Sequence, residues 1–107
     1  MYGKGGLYMQ ITDVRIRKVE GRGSWKAVAS ITIDGVFVVH DLKIIKGEKG
    51  LFVGMPSRKS NDGVYHDIAH PIDMDTRNDL QNLVLQKYEE YLVELENAEN
   101  AEEIVQE

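Results

Sequence analysis

Cysteine is absent from this chain of 107 residues, proline occurs twice and tryptophan occurs once. Without cysteine the protein has no disulfide framework and no thiolate metal site. No apolar run approaches the ~20 residues that a transmembrane helix needs, and no charged-then-apolar leader resembles a signal peptide. The sequence therefore predicts a single cytoplasmic domain that has a modest core and makes no contact with a membrane.

Positive charge is in deficit overall but is concentrated in one part of the chain. The formal net charge is −5. Residues 1–70 hold eleven Lys/Arg against seven Asp/Glu, a balance of +4, whereas residues 71–107 hold two against eleven, a balance of −9. Because salt screens charges over ~8 Å under physiological conditions, a basic patch acts locally despite a negative total. The distribution is compatible with a nucleic-acid partner.

Alternation of apolar and polar residues predicts β-strands in the first half of the chain. Residues 1–8 are rich in glycine and are expected to form a flexible extension. After them Val14 and Ile16 alternate with Arg15 and Arg17, which gives one apolar and one basic face. A second strand is predicted to follow, and one of its faces carries Trp25, Ala27, Ala29, Ile31 and Ile33.

The dipeptide Asp34-Gly35 is typical of a tight type I′ hairpin turn, because both residues tolerate a positive φ. The returning strand, residues 36–45, is apolar on both faces at its start, with Val36 and Val38 on one and Phe37 and Val39 on the other. A strand that is apolar on both faces needs cover on both. In so small a protein we expect a second subunit to provide it, so a homodimer is predicted.

Residues 50–71 are predicted to form a hairpin around a basic turn. Leu51–Val53 and Val64–Ile68 are its expected partner strands, and Asp62-Gly63 supplies turn chemistry. This places Arg58 and Lys59 on a loop that strands hold at both ends, which favours a role in binding.

The pattern changes to helical spacing after Pro71. Asp73 or Asp75 is a suitable helix cap, and apolar residues recur every three or four positions over about 20 residues. Residues 96–107 are acidic and are expected to form a disordered tail, so that residues 9–95 make up the domain. The predicted fold is α+β, an antiparallel sheet of about five strands with one long C-terminal helix packed on it. The apolar positions of the helix are Leu80, Leu83, Val84, Tyr88, Tyr91, Leu92 and Leu95.

Three stretches of the sequence resemble the SpoVG family, bacterial proteins named for sporulation and septation. They are TDVRIRKV at residues 12–19, ASITIDGVFVVHDLKII at residues 29–45, and GLFVGMPSRK at residues 50–59 followed by DIAHPI at residues 67–72. The resemblance covers about residues 9–92, and its motifs are specific in order and spacing. It implies a small homodimeric regulator that binds DNA and RNA and is not a catalyst.

Candidate nucleic-acid contacts follow from the basic residues. Arg58 and Lys59 lie in the most recognisable loop of the resemblance, and Arg15 and Arg17 could extend the same surface by neutralising phosphates. For most of the scattered cations, solvation of a sheet face is the simpler interpretation. Arg77 near the helix start is unfavourably placed for the helix dipole and is a further candidate for a phosphate contact. The acidic second half of the helix would repel phosphate. Lys18, Arg22 and Lys26 complete the set of nearby cations.

A metal or hydrolytic site is the competing interpretation of the histidines. His66 and His70 have the i, i+4 spacing of ligands on a helix, but their segment is predicted to be extended, where they would stand ~13 Å apart. His40 and His70 are more simply partly buried hydrogen-bonding residues. We therefore expect no enzyme activity, no cofactor, no metal and no small-molecule substrate.

The predicted function is DNA and RNA binding by a regulator of gene expression and cell division or sporulation. A competing hypothesis is a protein–protein adaptor of septation or envelope regulation, in which the acidic helix and tail bind a basic partner. Salt dependence separates the two, because phosphate binding weakens steeply with salt.

Overall fold

The computed structural model describes residues 9–19 and 23–105, in which six strands precede one helix. The predicted extension over residues 1–8 and the candidate Arg22 lie outside the described residues. The elements are β1 (Ile11–Lys18), β2 (Trp25–Ile33), β3 (Phe37–Gly47), β4 (Gly50–Gly54), β5 (Ser57–Lys59), β6 (Tyr65–Asp67) and α1 (Met74–Val105).

Strands β1 to β4 form one sheet in the order β1-β2-β3-β4, and each neighbouring pair is antiparallel. Strands β5 and β6 form a separate two-stranded sheet. The helix packs on one face of the larger sheet, and the core lies between them. The α+β prediction is confirmed, with the strands divided between two sheets. The buried core residues are Ala27, Ala29, Ile31, Leu42, Ile44, Val53, Met55, Leu80, Val84 and Tyr88.

The turn between β2 and β3 has the conformation that its sequence predicts. Asp34 and Gly35 have φ values of 53° and 71°, the positive pair that a type I′ turn requires. The Asp34 carboxylate accepts a hydrogen bond from the Gln10 N–H at 3.2 Å, and the Thr12 hydroxyl accepts one from the Gly35 N–H at 2.9 Å. The beginning of β1 therefore holds this turn in place.

The pairing predicted for the next hairpin is wrong. Leu51–Val53 does not pair with Val64–Ile68, because Gly47 and Gly50 close a tight turn that brings β4 back along β3. Strand β6 pairs with β5 instead. Since β4 ends at Gly54, opposite Lys43, it covers only the second half of β3.

The helix begins at an N-cap formed by Asp73, whose carboxylate accepts hydrogen bonds from the Thr76 N–H at 2.8 Å and the Thr76 hydroxyl at 3.0 Å. Its buried positions Leu80, Val84 and Tyr88 agree with the predicted apolar stripe. The predicted length is wrong, because α1 has 32 residues and continues to Val105.

Tyr91 marks the end of the contact between the helix and the sheet. It is the last of the described helix side chains to pack against the core, and its hydroxyl accepts a hydrogen bond from the Lys18 N–H at 3.1 Å. Residues 96–105 continue the helix in backbone. The division into a domain over 9–95 and a tail over 96–107 stays a prediction.

The apolar residues at the start of β3 and the turn residue before it are exposed in the single chain. The exposed fractions are 85% for Val36, 62% for Phe37 and 47% for Val38. Cover by a second subunit stays a prediction. Across residues 9–19 and 23–105, no helix has both the length and the apolarity needed to cross a membrane.

Candidate nucleic-acid interface

The sequence predicted that Arg58 and Lys59 lie on a loop. This is wrong, because both lie on a strand. They belong to β5, which together with β6 and the turn between them forms the β5–β6 arm, residues 57–67. The loop is shorter than expected, because the Ser60 N–H bonds the Val64 carbonyl at 2.9 Å and closes the turn. At the base of the arm, the Ile68 N–H donates to the carbonyl of the buried Pro56 at 2.7 Å.

Asp62 organises the tip of the β5–β6 arm. Its carboxylate accepts hydrogen bonds from the Ser60 hydroxyl and from the Val64 N–H, the latter at 3.0 Å. Because both donors favour the charged carboxylate, above all the Ser60 hydroxyl, they lower the pKa of Asp62. Gly63 has a φ of 84° and completes the turn. The predicted Asp62-Gly63 turn is thus present.

Arg58 and Lys59 project to opposite faces of the arm, because successive side chains alternate along a strand. Arg58 stands opposite His66, and Lys59 stands opposite Tyr65. The Lys59 Nζ lies 5.9 Å from the centre of the Tyr65 ring, within the range of a cation–π contact. The two exposed cations therefore do not form one patch.

Arg15 and Arg17 do share a surface. Their neighbours Val14 and Ile16 pack against the core, so alternation places both arginines on the side of the four-stranded sheet away from the helix, which we call the open face. The register sets Arg15 beside Ser30 and Arg17 beside Val28. Arg15 is 83% exposed, and its Nε lies 3.0 Å from Asp13 Oδ2.

A shallow concavity of about 250 Å³ lies on this face between β1 and β3. Both arginines line it, together with Ser30, His40 and Asp41. One residue of β2, Ser30, opposes two of β3, His40 and Asp41, and Asp41 has a φ of 68°. The bulge thus brings His40 and Asp41 to the wall of a concavity that carries two guanidinium groups, a setting suited to an anionic ligand.

Two residues of the open face, Lys43 and Trp25, were not among the contacts predicted from the sequence. Lys43 follows the buried Leu42 and precedes the buried Ile44, and this alternation was the available signal. Trp25 was predicted to share the face of Ala27, which is wrong. A bulge between Trp25 and Ala27 pairs Trp25 with Ile45 and shifts it to the open face, where the Lys43 Nζ lies 4.8 Å from the centre of its ring. Phe52 stands on the other side of Ile45.

Arg77 lies apart from these cations. It is half-buried in the first turn of the helix, and its N–H bonds the Asp73 carbonyl at 3.1 Å. The helix belongs to the layer on the opposite side of the sheet from Arg15 and Arg17. The structure brings together two of the five candidate residues.

The helix adds acidic groups to the side of the sheet opposite the open face. Glu90 and Glu94 line a groove together with Val14 and Ile16, whose side chains point toward the helix. Gln81 of the helix accepts a hydrogen bond from the Val53 N–H at 3.1 Å. That contact satisfies a backbone N–H group at the outer edge of β4.

The histidine spacing that suggested a metal site does not fall on a helix. His66 lies in β6, and His70 lies in the segment that follows it. The His70 Nδ1 is 2.9 Å from the Pro71 carbonyl oxygen. Among the described residues no group of three or more His, Asp or Glu side chains is arranged to hold a metal ion.

Comparison with known proteins gives one consistent result. The SpoVG family model matches residues 9–90. The chain belongs to the SpoVG family. Proteins named putative septation protein SpoVG are similar to it in Agathobacter rectalis, with 65% identity over 89 residues (83% of this chain, 99% of the relative), and in Lachnoclostridium phytofermentans, with 61% identity over 95 residues (88% and 100%). The Clostridium novyi protein of that name is 54% identical over 99 residues (92% and 99%).

The match to the SpoVG family covers all six strands and the helix up to the residue before Tyr91, which is most of the part that packs on the sheet. The open face and the β5–β6 arm both lie inside it. Residues 91–105, the last part of the helix, lie beyond it.

Proposed function

We propose that this SpoVG-family chain is a regulatory protein that binds DNA and RNA and acts in the control of septation and sporulation. Its relatives carry the name putative septation protein SpoVG, which supports the cellular role. The nucleic-acid role is supported by the arrangement of charge described above.

The observation that carries the nucleic-acid proposal is the separation of charge across the sheet. Arg15, Arg17 and Lys43 lie on the open face, whereas the exposed carboxylates of Glu90 and Glu94 lie with the helix on the other side. A negative total charge would repel a polyanion from a protein whose charges were mixed. These three cations point away from the helix, where Lys87 pairs with Glu90, so phosphates can approach them without passing the acidic helix.

The proposed mechanism is occupancy of a promoter or transcript, without covalent chemistry. Arginine and lysine neutralise backbone phosphates and release counterions, which gives affinity but little sequence preference. The β5–β6 arm adds Arg58 or Lys59 from a second direction, since the arm is a separate two-stranded sheet.

The test is fluorescence anisotropy with a random DNA duplex and a random RNA at two salt concentrations. One variant removes the open-face cations, Arg15→Ala with Arg17→Ala. A matched control, Lys46→Ala with Lys49→Ala, removes two exposed cations elsewhere and changes the net charge equally. We expect salt-sensitive binding that the first variant weakens and the control does not. Equal weakening by both would show that only net charge matters, and no binding by the native chain would refute the proposal.

We also propose that the chain acts as a homodimer. Phe37 and Val38 are exposed and lie at the half of β3 that β4 does not cover, directly after the exposed turn residue Val36. An exposed strand edge with apolar side chains is a template for pairing with another chain. Sedimentation velocity should give twice the monomer mass, and Phe37→Ser should lower it. A monomer at every concentration would refute this proposal.

The adaptor hypothesis has one observation in its favour. The helix extends past Tyr91, and Glu94, Glu96 and Glu99 are exposed along that extension. In an adaptor, truncation after Leu95 would abolish the cellular phenotype while leaving nucleic-acid affinity unchanged. In a nucleic-acid regulator, loss of the open-face arginines would abolish both.

A further inference from the structure

The open face carries a row of aromatic and aliphatic side chains across three strands. Trp25 on β2 is paired with Ile45 on β3, and Ile45 is paired with Phe52 on β4. The two rings therefore flank one aliphatic side chain on the same surface. The helix covers the other side of the sheet, so the described residues leave this row open to a ligand.

The ring of Phe52 is held in position by a glycine. A Cβ added to Gly47 would lie 2.9 Å from the Phe52 Cε1 atom, so the ring rests directly on the backbone of β3. The side chain is nevertheless 42% exposed. A ring supported from below and open above is the arrangement that stacks on a planar ligand.

Cations lie beside the aromatic row on the same face. In the next row the register sets Arg17 and Lys43 on either side of Val28, and Arg15 follows one row further. The Lys43 Nζ at 4.8 Å from the Trp25 ring joins the two rows. Aromatic rings that border arginine and lysine match a ligand with flat apolar groups on a charged backbone, and charge complementarity selects a polyanion.

We propose that the open face binds single-stranded nucleic acid, with bases stacked on Trp25 and Phe52 and phosphates neutralised by Arg15, Arg17 and Lys43. The inference rests on the proposed nucleic-acid function and names the class of ligand. In a duplex each base is stacked between its neighbours and is closed to a protein ring, whereas an unpaired base exposes its face. The aromatic row thus gives a preference for single strands that phosphate contacts alone would not give.

The test compares a single-stranded oligonucleotide with the duplex of the same sequence. The variant Trp25→Leu with Phe52→Leu removes both ring faces and keeps apolar side chains, and the control Trp25→Phe with Phe52→Tyr keeps both rings. Circular dichroism melting checks that all variants fold. We expect the leucine variant to lose about tenfold in affinity for the single strand, with duplex affinity and the aromatic control unchanged.

The single tryptophan provides a second readout, because Trp25 is the sole source of indole fluorescence in the chain. Stacking of a base on the ring should quench this emission when single strand is added and leave it unchanged when duplex is added. Emission that instead changes with protein concentration alone would show that a second copy covers the face, and would overturn the proposal.

The outcomes separate this inference from the proposed function. If the native chain binds duplex and single strand with equal affinity, and the leucine variant binds both as tightly, the stacking proposal fails while nucleic-acid binding stands. If the native chain binds neither at low salt, both proposals fail. A leucine variant that loses affinity equally for single strand and duplex also overturns the stacking proposal.

Discussion

The separate substitution of Arg58 and Lys59 tests the geometry of the β5–β6 arm. The two side chains project to opposite faces of a two-stranded ribbon, so one straight nucleic-acid backbone can contact only one of them. We expect that contact to be Arg58, since the Lys59 Nζ lies 5.9 Å from the Tyr65 ring centre and since arginine pairs with phosphate in a bidentate manner.

The expected magnitude follows from counterion release. Each phosphate contact on duplex DNA contributes about 0.9 to the slope of log affinity against log salt, or about a 3.5-fold loss of affinity between 50 and 200 mM salt. Arg58→Ala should therefore lower the slope by about 0.9. Lys59→Ala should leave the slope unchanged, and the double variant should match Arg58→Ala.

The assay is duplex binding measured by anisotropy at five or more salt concentrations, with native protein and the three variants. The reasoning would be refuted if the slope of log affinity against log salt fell by about 0.9 in each single variant and by about 1.8 in the double variant. They would mean that both cations reach one phosphate backbone, as they would on a flexible loop.

Three further predictions concern the scaffold. Asp73→Ala removes the helix N-cap and should lower the free energy of unfolding by about 1 kcal/mol, which lowers the melting temperature by about 4–8 °C. Asn78→Ala on the exposed helix surface should leave the melting temperature unchanged. Leu80→Ala in the core should lower the free energy of unfolding by about 2–5 kcal/mol, against about 0.5 kcal/mol or less for Val93→Ala, which is 58% exposed. Hydrogen bonds lower the pKa of Asp62 in the folded protein. The carboxylate should therefore stabilise the fold above the ordinary pKa of 3.8, and this contribution should be lost as the pH falls through the folded pKa. A carboxyl titration by NMR with a midpoint at or above 3.8 would contradict this prediction.

The parts of the fold that local chemistry determines were predictable from sequence. The Asp34-Gly35 turn follows from positive φ, and the buried stripe at Leu80, Val84 and Tyr88 follows from helical spacing. The end of the helix was not predictable, because an exposed polar sequence has no apolar stripe that marks where it stops.

The candidate site was harder to predict because it depends on pairing between strands. One extra residue at the bulge beside Trp25 moves that ring from the core side to the open face, and an alternation count cannot reveal such a shift. The partner of β4 was likewise a choice between two apolar strands. The close approach of Gly47 and Gly50 decides it. Arg15 and Arg17 were placed correctly because β1 alternates without interruption from Asp13 onward.

The position of the helix behind the sheet makes the sheet an electrostatic spacer. Packed layers stand about 10 Å apart, which exceeds the screening length of ~8 Å at physiological salt. At that salt a phosphate on the open face is largely insulated from Glu90 and Glu94. At 0.01 M salt the screening length grows to ~30 Å, so a phosphate on the open face interacts with the whole net charge of −5. Lowering the salt therefore strengthens contacts to the cations and repulsion from the helix together, so affinity should level off in dilute buffer where an ordinary basic protein would keep gaining.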